Sequence, residues 1–122
     1  MQESNGRTIT METNDKESDS SIKSEDVYKI LLTIPTGRVS TYGDIARALG
    51  NPLASRRIGR ILNKNPNPVV VPCHRVVKAD GKIGGYALGI DKKKKLLENE
   101  GLFFKDLTID EFEKKRFRPK IT

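Results

Sequence analysis

The sequence predicts one mainly α-helical domain with a small β element, in which two helices form a helix-turn-helix. Three observations favour this class. Apolar residues recur at helical spacing in several segments, a tight joint separates two of these segments, and an Asp-Gly pair between apolar residues is typical of a hairpin. The 122 residues are enough for a single domain with a buried core.

The chain changes near residue 24 from an acidic, polar segment to a basic one. Residues 1–25 carry three basic and six acidic side chains, and their few apolar residues cannot offset the entropy of ordering. We therefore predict a disordered polar tail over residues 1–24 and a folded domain over residues 25–122. Residues 26–122 carry 20 basic and 10 acidic side chains. This excess favours a polyanionic partner, nucleic acid first, although plain solubility charge is the alternative.

Cysteine usage and hydropathy exclude several classes of protein. A single cysteine forms no internal disulfide and suits a reducing, intracellular compartment. Cys/His clusters with metal-ligand spacing are absent from the sequence, so no metal site is expected. No apolar run approaches the ~20 residues that span a bilayer, and the N-terminus has no signal-peptide core. We expect a monomer in the cytoplasm, or in the nucleus if the cell is eukaryotic.

The first predicted helix begins at Ser24, with two acidic residues in its first turn. Pro35 ends it. Its apolar residues have the i, i+3, i+4, i+7 spacing of a stripe that faces the core: Val27, Ile30, Leu31 and Ile34.

Two further helices form the predicted helix-turn-helix. The first opens on a capping box at Thr41–Asp44 and stops at Gly50. The second is predicted over residues 52–63, with Asn51 as its cap and Pro52 at its first helical position. Its outer face carries Arg56, Arg60 and Asn63, with Arg57 on the flank. In a basic domain, this arginine-rich face favours DNA contact over an ordinary solvated face.

The only cysteine and the only histidine are adjacent, Cys73 and His74, between two valine runs. Apolar flanks predict burial, and a buried lone thiol is usually an inert small hydrophobe. However, His74 and Arg75 provide the electropositive setting that lowers the pKa of a thiol and raises its thiolate fraction. In a regular strand the two side chains would point to opposite faces. A working pair therefore requires an irregular backbone, which Pro72 favours, or an intervening water.

After this stretch we predict a hairpin and a loop. Val76–Val77 and Ile83 flank the Asp80-Gly81 turn. The glycines of residues 84–89 allow a close backbone approach to another group.

The last predicted helix runs from Asp91 to Glu100. Its first turn carries four lysines, Lys92–Lys95, which oppose the helix dipole; we expect them to be solvated, although an anionic partner would compensate them. Basic residues from Lys114 onward are predicted to form an exposed tail. Large apolar residues between the helix and this tail are expected to pack on the core: Phe103, Phe104, Leu107, Ile109 and Phe112.

Four motifs occur in a characteristic order: Asn65-Pro66-x-Pro68, Pro72-Cys73-His74-Arg75-Val76, Gly85-Tyr86 and Leu97-x-x-Glu100-Gly101. Together they resemble the O6-alkylguanine-DNA alkyltransferases (methylated-DNA–protein-cysteine methyltransferases) over about residues 26–103. The resemblance implies a winged-helix-like three-helix domain. It also implies irreversible transfer of a methyl or alkyl group from O6 of guanine to the cysteine. No cofactor is implied, and each chain would act once because a thioether does not turn over.

The resemblance implies catalytic roles for five residues. Cys73 would accept the alkyl group, and His74 would take the thiol proton through a water. Glu100 would orient the imidazole of His74. Asn65 would brace the loops around the site. Tyr42 would donate a hydrogen bond or proton to the minor-groove ring nitrogen of the guanine.

The resemblance also implies which groups contact the substrate and the DNA. The carbonyls of Cys73 and Val76 would accept from the exocyclic amine of guanine, the Ala87 amide would face O6, and Tyr86 would form part of the pocket wall. The partner would be double-stranded DNA containing O6-alkylguanine, bound from the minor groove with the damaged nucleotide flipped out. Arg56 would fill the vacated stack. The other DNA contacts would be Arg60 on the second helix and, at phosphates, Thr41 and Asn51.

Two alternatives stay open. Alkyltransferase-like proteins bind damaged bases without transfer, but they replace the cysteine, typically with tryptophan, whereas Cys73 is present here. A helix-turn-helix transcription regulator with an incidental core cysteine is the other alternative, and it leaves the Cys-His-Arg cluster, Glu100 and the Asn65 loop without a role.

Overall fold

The computed structural model describes residues 22–121. The first helix, α1 (Ser24–Leu31), buries its predicted stripe, and Ile34 stays buried although it lies beyond the helix end. Ile22 is 6% exposed within the core, so the packed domain extends to residues before 25, where we predicted its start. The rest of the predicted tail lies outside the described residues.

The helix α2 (Tyr42–Ala48) starts from the predicted capping box. The Asp44 amide donates to Thr41 Oγ1 at 3.0 Å, and the Thr41 amide donates to Asp44 Oδ2 at 3.1 Å. These bonds satisfy two amides at the helix start, and they fix Tyr42 at its first position. Gly50, with φ of +77°, then turns the chain away from the helix axis.

The second helix of the helix-turn-helix, α3 (Ser55–Asn63), begins three residues later than the sequence predicts. Asn51 and Pro52 do not start it, because the Asn51 carbonyl accepts a hydrogen bond from the Ala54 amide at 3.1 Å and closes a separate turn. Ala54 occupies the N-cap position instead and is buried. The helix-turn-helix is confirmed, and α3 packs on the core and against α2 through its apolar face: Ile58, Ile61 and Leu62.

A two-stranded parallel sheet joins β1 (Ser40–Thr41) to β2 (Val76–Val77). The predicted turn at Asp80-Gly81 forms, since the Lys78 amide donates to the Lys82 carbonyl at 2.9 Å. Of the residues that flank this turn, Val76–Val77 pair with β1, and the Ile83 amide donates to the Leu107 carbonyl at 2.8 Å. Because both valines are fully buried, β2 lies inside the domain, where β1 is its partner.

The remaining elements build a second apolar cluster around Leu97. They are α4 (Ile90–Asn99), the antiparallel strands β3 (Phe104–Lys105) and β4 (Thr108–Ile109), and the short α5 (Phe112–Lys115). Of the large apolar residues expected to pack here, Phe104, Ile109 and Phe112 do so. Two are instead exposed: Phe103 at 72% and Leu107 at 47%.

The basic segment after α5 is not the free tail that the sequence predicts. Val39 donates its amide to the Lys115 carbonyl at 2.9 Å, and Phe117 donates its amide to the Val39 carbonyl at 2.7 Å. Ser40 Oγ donates to the Phe117 carbonyl as well. Residues 115–117 therefore lie beside the strand that leads into α2. Within residues 22–121, no helix is long and apolar enough to cross a membrane.

Candidate active site

The cysteine and the histidine lie on a single 3₁₀ turn, Cys73–Arg75, which confirms the irregular backbone expected after Pro72. Cys73 is 4% exposed and His74 is fully buried. The valine run that follows is buried, but in the preceding run Val69 and Val70 are exposed, contrary to prediction. Val69 has a φ of +75°, so the loop turns there and carries its apolar side chains outward.

Asn65 connects the preceding loop to the sulfur. Its Nδ2 donates to the Val71 carbonyl at 2.9 Å and to Cys73 Sγ at 3.3 Å, while its Oδ1 accepts from the Asn67 amide at 2.9 Å. The bracing role of Asn65 stays a prediction, and these three hydrogen bonds support it.

Glu100 joins the histidine to the arginine. Its Oε2 lies 2.8 Å from His74 Nε2, and it accepts two hydrogen bonds from Arg75, from Nε at 3.0 Å and from Nη2 at 2.9 Å. Burial raises the pKa of Glu100, but the hydrogen bonds from Arg75 and His74 outweigh burial and hold that pKa below its ordinary value. Glu100 is thus a carboxylate, which can only accept, so His74 Nε2 carries a proton.

The second ring nitrogen of His74 is free to act as a base. Burial lowers the pKa of His74 below 6.5 more strongly than Glu100 raises it, so the ring is neutral at pH 7. The buried Nδ1 makes no hydrogen bond with any residue in the described range. A neutral ring with Nε2 protonated has its lone pair on Nδ1, and that nitrogen can take a proton from Cys73 through one water.

Arg75 does not supply the cation beside the sulfur that the sequence predicts. Its guanidinium is taken up by Glu100, by the Ile34 carbonyl at 2.9 Å and by Thr36 Oγ1 at 3.0 Å. These contacts tie the 3₁₀ turn to the segment after α1 and to Glu100, the residue that follows α4. Arg75 is therefore a structural anchor of the turn.

The sequence reasoning missed Lys93. We expected all four lysines of α4 to be solvated, but Lys93 is fully buried, and its Nζ donates to the Val76 carbonyl at 2.7 Å and to the Gly85 carbonyl at 2.9 Å. Burial lowers its pKa from 10.5 to about 8, against the attraction of the Cys73 thiolate. One signal could have found it: Lys93 precedes the buried Leu97 by four residues and so shares its helix face.

Three tyrosines pack on the apolar cluster that contains Cys73: Tyr28, Tyr42 and Tyr86. Burial, followed by the charge of the Cys73 thiolate, raises the pKa of Tyr42 and of Tyr86, so both keep their hydroxyl protons at pH 7. A Cβ on Gly84 would lie 3.5 Å from Tyr42 Oη, and Gly84 has a φ of +72°, so this loop approaches Tyr42 where glycine is required. The Tyr86 hydroxyl is buried and has no hydrogen-bond partner among the described residues.

The substrate contacts expected of backbone groups stay predictions. The Val76 carbonyl already accepts from Lys93, and the Cys73 carbonyl accepts from the Val76 amide. Each carbonyl oxygen has a second lone pair for the exocyclic amine of guanine. Ala87 is exposed, in the same loop as Tyr86.

The residues expected to contact DNA are only partly placed as predicted. Arg56 and Arg60 are exposed on the outer face of α3. Thr41 is at a helix start but is 1% exposed, with its hydroxyl in the capping box, which disfavours the predicted phosphate contact. Asn51 lies in the turn before α3, not at a helix N-terminus, so the reason for expecting a phosphate there is wrong. No group of three or more potential metal ligands occurs within residues 22–121.

This chain is similar to a known protein family and to several curated proteins. The family described as "6-O-methylguanine DNA methyltransferase, DNA binding domain" matches residues 23–102. A methylated-DNA–protein-cysteine methyltransferase of Methanosarcina acetivorans is 51% identical over 77 residues, 63% of this chain and 49% of that protein. The chain spans about half the length of the curated methyltransferases of this kind that it matches.

Two solved structures are similar to the fold described above. OGT of Mycobacterium tuberculosis in complex with DNA has a TM-score of 0.62 and 48% identity, covering 63% of this chain and 48% of that one. Atl1 of S. pombe, in complex with damaged DNA containing O6-carboxymethylguanine, has a TM-score of 0.67 and 30% identity, covering 79% of this chain and 94% of that one. All the site residues discussed lie inside the matched range 23–102.

Proposed function

Because the chain belongs to the family of the 6-O-methylguanine DNA methyltransferase DNA-binding domain, we propose that it repairs alkylated DNA by direct reversal. The reaction is irreversible transfer of a methyl or alkyl group from O6 of guanine to Cys73, once per chain. The observation that carries this proposal is the buried pair Cys73 and His74, with the half-buried Glu100 bonded to His74 and a neutral imidazole whose Nδ1 has no hydrogen-bond partner among the described residues.

The transfer is a single displacement at the alkyl carbon. His74 Nδ1 takes the thiol proton through a water, and the Cys73 thiolate attacks the carbon. The bond between that carbon and guanine O6 breaks, a thioether forms, and the electron pair stays on the guanine. A proton or hydrogen bond from the neutral Tyr42 hydroxyl offsets the charge that develops on the leaving base.

The damaged base reaches the sulfur only when the wall around it opens. Cys73 is 4% exposed, and Tyr86 packs on the same apolar cluster as Cys73. The segment with Tyr86 has positive φ angles at Gly84 and Gly89, +72° and +97°, which are its points of conformational freedom. We propose that this loop moves outward to admit a guanine that has been flipped out of the duplex.

Double-stranded DNA containing O6-alkylguanine is the proposed partner. The basic face of α3 provides exposed arginines for the minor groove, and the chain carries a formal net charge of +7. Two similar solved structures, OGT and Atl1, contain DNA. We propose a monomer that acts where DNA is found, in the cytoplasm or, in a eukaryote, in the nucleus.

Intact-mass analysis after incubation with a duplex containing O6-methylguanine tests this proposal. We expect the protein to gain the mass of one methyl group, located on Cys73 by peptide mapping. The Cys73→Ala variant is expected to gain nothing while it still binds the duplex. Binding by the wild-type protein without any mass change would favour lesion recognition without transfer, the first of the two alternatives stated above.

Arg56 carries a separate prediction about base extrusion. Arg56→Ala is expected to slow transfer on the duplex by about tenfold to a hundredfold, because unstacking a base costs a few kcal/mol. Affinity for undamaged duplex should fall much less. Transfer rates on duplex and on single-stranded lesion DNA measure the effect, since a single strand has no stack to fill. Equal losses in rate and in duplex affinity would reduce Arg56 to a phosphate contact.

A further inference from the structure

A cleft of about 420 Å³ lies beside Tyr42, between the turn that follows β2 and the β3–β4 hairpin. Its walls are largely apolar and include the buried Ile83 and the half-exposed Leu107. Of the described residues that line it, two are exposed lysines, Lys78 and Lys82, and none is acidic. A cleft of this size with an apolar wall and two ammonium groups suits an anionic ligand that also has an apolar part.

The walls of this cleft are hydrogen-bonded into one antiparallel unit. Ile83 donates its amide to the Leu107 carbonyl at 2.8 Å, and Ile109 donates its amide to the Gly81 carbonyl at 3.0 Å. We name this unit, residues 78–83 together with β3 and β4, the wing. Its β3–β4 hairpin lies beyond the range that matches the family, so this wall of the cleft is an addition to the matched domain.

Lys78 and the Tyr42 hydroxyl approach the same point of the chain. A Cβ on Gly84 would lie 3.3 Å from Lys78 Cγ and 3.5 Å from Tyr42 Oη. Because Tyr42 is the residue proposed to meet the leaving guanine, Lys78 lies beside the path of the flipped nucleotide. The Lys82 side chain is 61% exposed and its ion pair with Asp80 is 3.9 Å long, so this weak pair leaves Lys82 available to another anion.

The backbone of the damaged strand is the anion that the proposed reaction brings to this place. A flipped nucleotide stays bonded through phosphates to both of its neighbours in the strand. A guanine that passes Tyr42 on its way to Cys73 therefore carries a phosphate and a deoxyribose close to the cleft. Lysine contacts to phosphates position a protein on DNA without reading its sequence, which suits a lesion that occurs in any sequence.

We propose that the wing binds the phosphodiester backbone of the damaged strand beside the flipped nucleotide. Lys78 and Lys82 are the phosphate contacts, and Leu107 is the apolar wall beside the sugar. This rests on the proposed function, because it assumes that a flipped guanine enters past Tyr42. It adds a second DNA contact to the arginine face of α3. Tyr42 adjoins that helix too, since a Cβ on Gly59 of α3 would lie 3.9 Å from its ring.

The salt dependence of duplex binding tests the two lysines. Lys78→Gln combined with Lys82→Gln removes both charges from the cleft. Lys29→Gln combined with Lys120→Gln is the matched control, because these lysines are also exposed and line a different cavity, of about 380 Å³. We expect the slope of log K against log[salt] to become smaller by about 2 in the first pair and to keep its wild-type value in the control. Equal slopes in the two double variants would overturn the proposal.

Single uncharged linkages in the duplex locate the contact. Each methylphosphonate linkage removes the charge of one phosphate near O6-methylguanine, and Cys73→Ala prevents transfer during the titration. We expect linkages beside the lesion, in the damaged strand, to lower affinity, and to cost much less once Lys78→Gln and Lys82→Gln are present. Coupling confined to the opposite strand, or the same losses with and without the two lysines, would refute the contact.

A carboxylate placed in the cleft tests the part played by the hairpin. Leu107→Glu puts a negative charge into the cleft. Phe103→Glu adds the same charge just before β3, where the native side chain is 72% exposed and does not line the cleft. Repulsion of the phosphates should lower duplex affinity about tenfold in Leu107→Glu and much less in Phe103→Glu. Equal affinities of the two variants would show that the hairpin does not contact DNA, against the proposal.

The repair function and the role of the wing can fail separately, because the binding measurements involve no transfer. A protein that never becomes methylated, yet shows the expected losses in binding, would refute the repair function and keep the wing as a DNA contact. Methylation of Cys73 at the wild-type rate and an unchanged salt slope, in the protein with Lys78→Gln and Lys82→Gln, would do the reverse.

Discussion

Glu100→Gln is expected to slow methyl transfer by about 10²- to 10⁴-fold, the usual contribution of a positioned general base. The carboxylate accepts from His74 Nε2 on one side and from Arg75 on the other. A carboxamide has a single acceptor oxygen, so its NH₂ group must face one of these donors. If the imidazole loses its partner, the proton no longer stays on Nε2, and Nδ1 is no longer held as the base.

Single-turnover transfer rates measured across pH check this prediction. Glu98→Gln is the matched control, because Glu98 is exposed and lies two residues before Glu100, in the last turn of α4; it should transfer at the wild-type rate. In the wild-type protein the rate should fall on acidification, as His74 becomes protonated below pH 6.5. A wild-type rate for Glu100→Gln would show that proton removal does not pass through this pair.

The same pair predicts how stability depends on pH. The pKa of Glu100 is lowered in the folded state by Arg75 and His74, despite burial, so its contribution is present above about pH 4.5 and is lost as pH falls through the lowered value. His74 also has a lowered pKa, because it is buried as a neutral ring, so below pH 6.5 its protonation favours unfolding. Acid should therefore destabilise the protein in two steps, and the lower one should be absent in Glu100→Gln.

Arg116→Met is expected to reduce the free energy of unfolding by about 3 to 5 kcal/mol, the effect of breaking one partner of a buried ion pair. Arg116 donates to both carboxylate oxygens of Asp44, each at 2.9 Å, and the Asp44 side chain is 1% exposed. Without Arg116 that buried carboxylate keeps its bonds within the capping box and a long ion pair with the exposed Arg47, at 3.9 Å. Hydrophobic contacts of the Met side chain replace part of the packing but not the charge.

Urea unfolding of Arg116→Met beside Arg118→Met measures this difference. Arg118 is exposed, and its ion pair with Glu113 is 3.7 Å long, so its loss should change the free energy of unfolding by under about 1 kcal/mol. Burial raises the pKa of Asp44, but the hydrogen bonds from Arg116 and Thr41 outweigh burial, so the pKa of Asp44 lies below its ordinary value of 3.8. The ion pair therefore stabilises the fold above about pH 3.8. That contribution should disappear as pH falls through the lowered pKa. Equal small effects in the two variants would show that Asp44 does not depend on Arg116.

Arg116 lies outside residues 23–102, the range that matches the family, and its bond to Asp44 links this later segment to the start of α2. Asp44 caps the helix that begins at Tyr42, so a loosened pair should slow transfer through the position of the Tyr42 hydroxyl. Transfer rates measured where Arg116→Met is still folded separate this effect from global unfolding.

Features that depend on near neighbours in the chain could be predicted from the sequence. The stripe of α1, the capping box at Thr41–Asp44 and the irregular turn after Pro72 were predicted correctly, because each depends on residues at most seven positions apart. The pairing of His74 with Glu100, 26 residues away, came only from the resemblance to a family and not from any local pattern.

Which charged side chains are buried, and which groups they contact, depends on packing between distant parts of the chain. Lys93 and its solvated neighbours have the same side chain, yet packing of α4 against the Cys73 turn buries one of them. Arg116 looked like part of a basic tail, but it meets a carboxylate 72 residues earlier in the chain. Contacts across such separations depend on how the elements pack, and the cost of burying a charge depends on the partner found there, so no local pattern of residues contains this information.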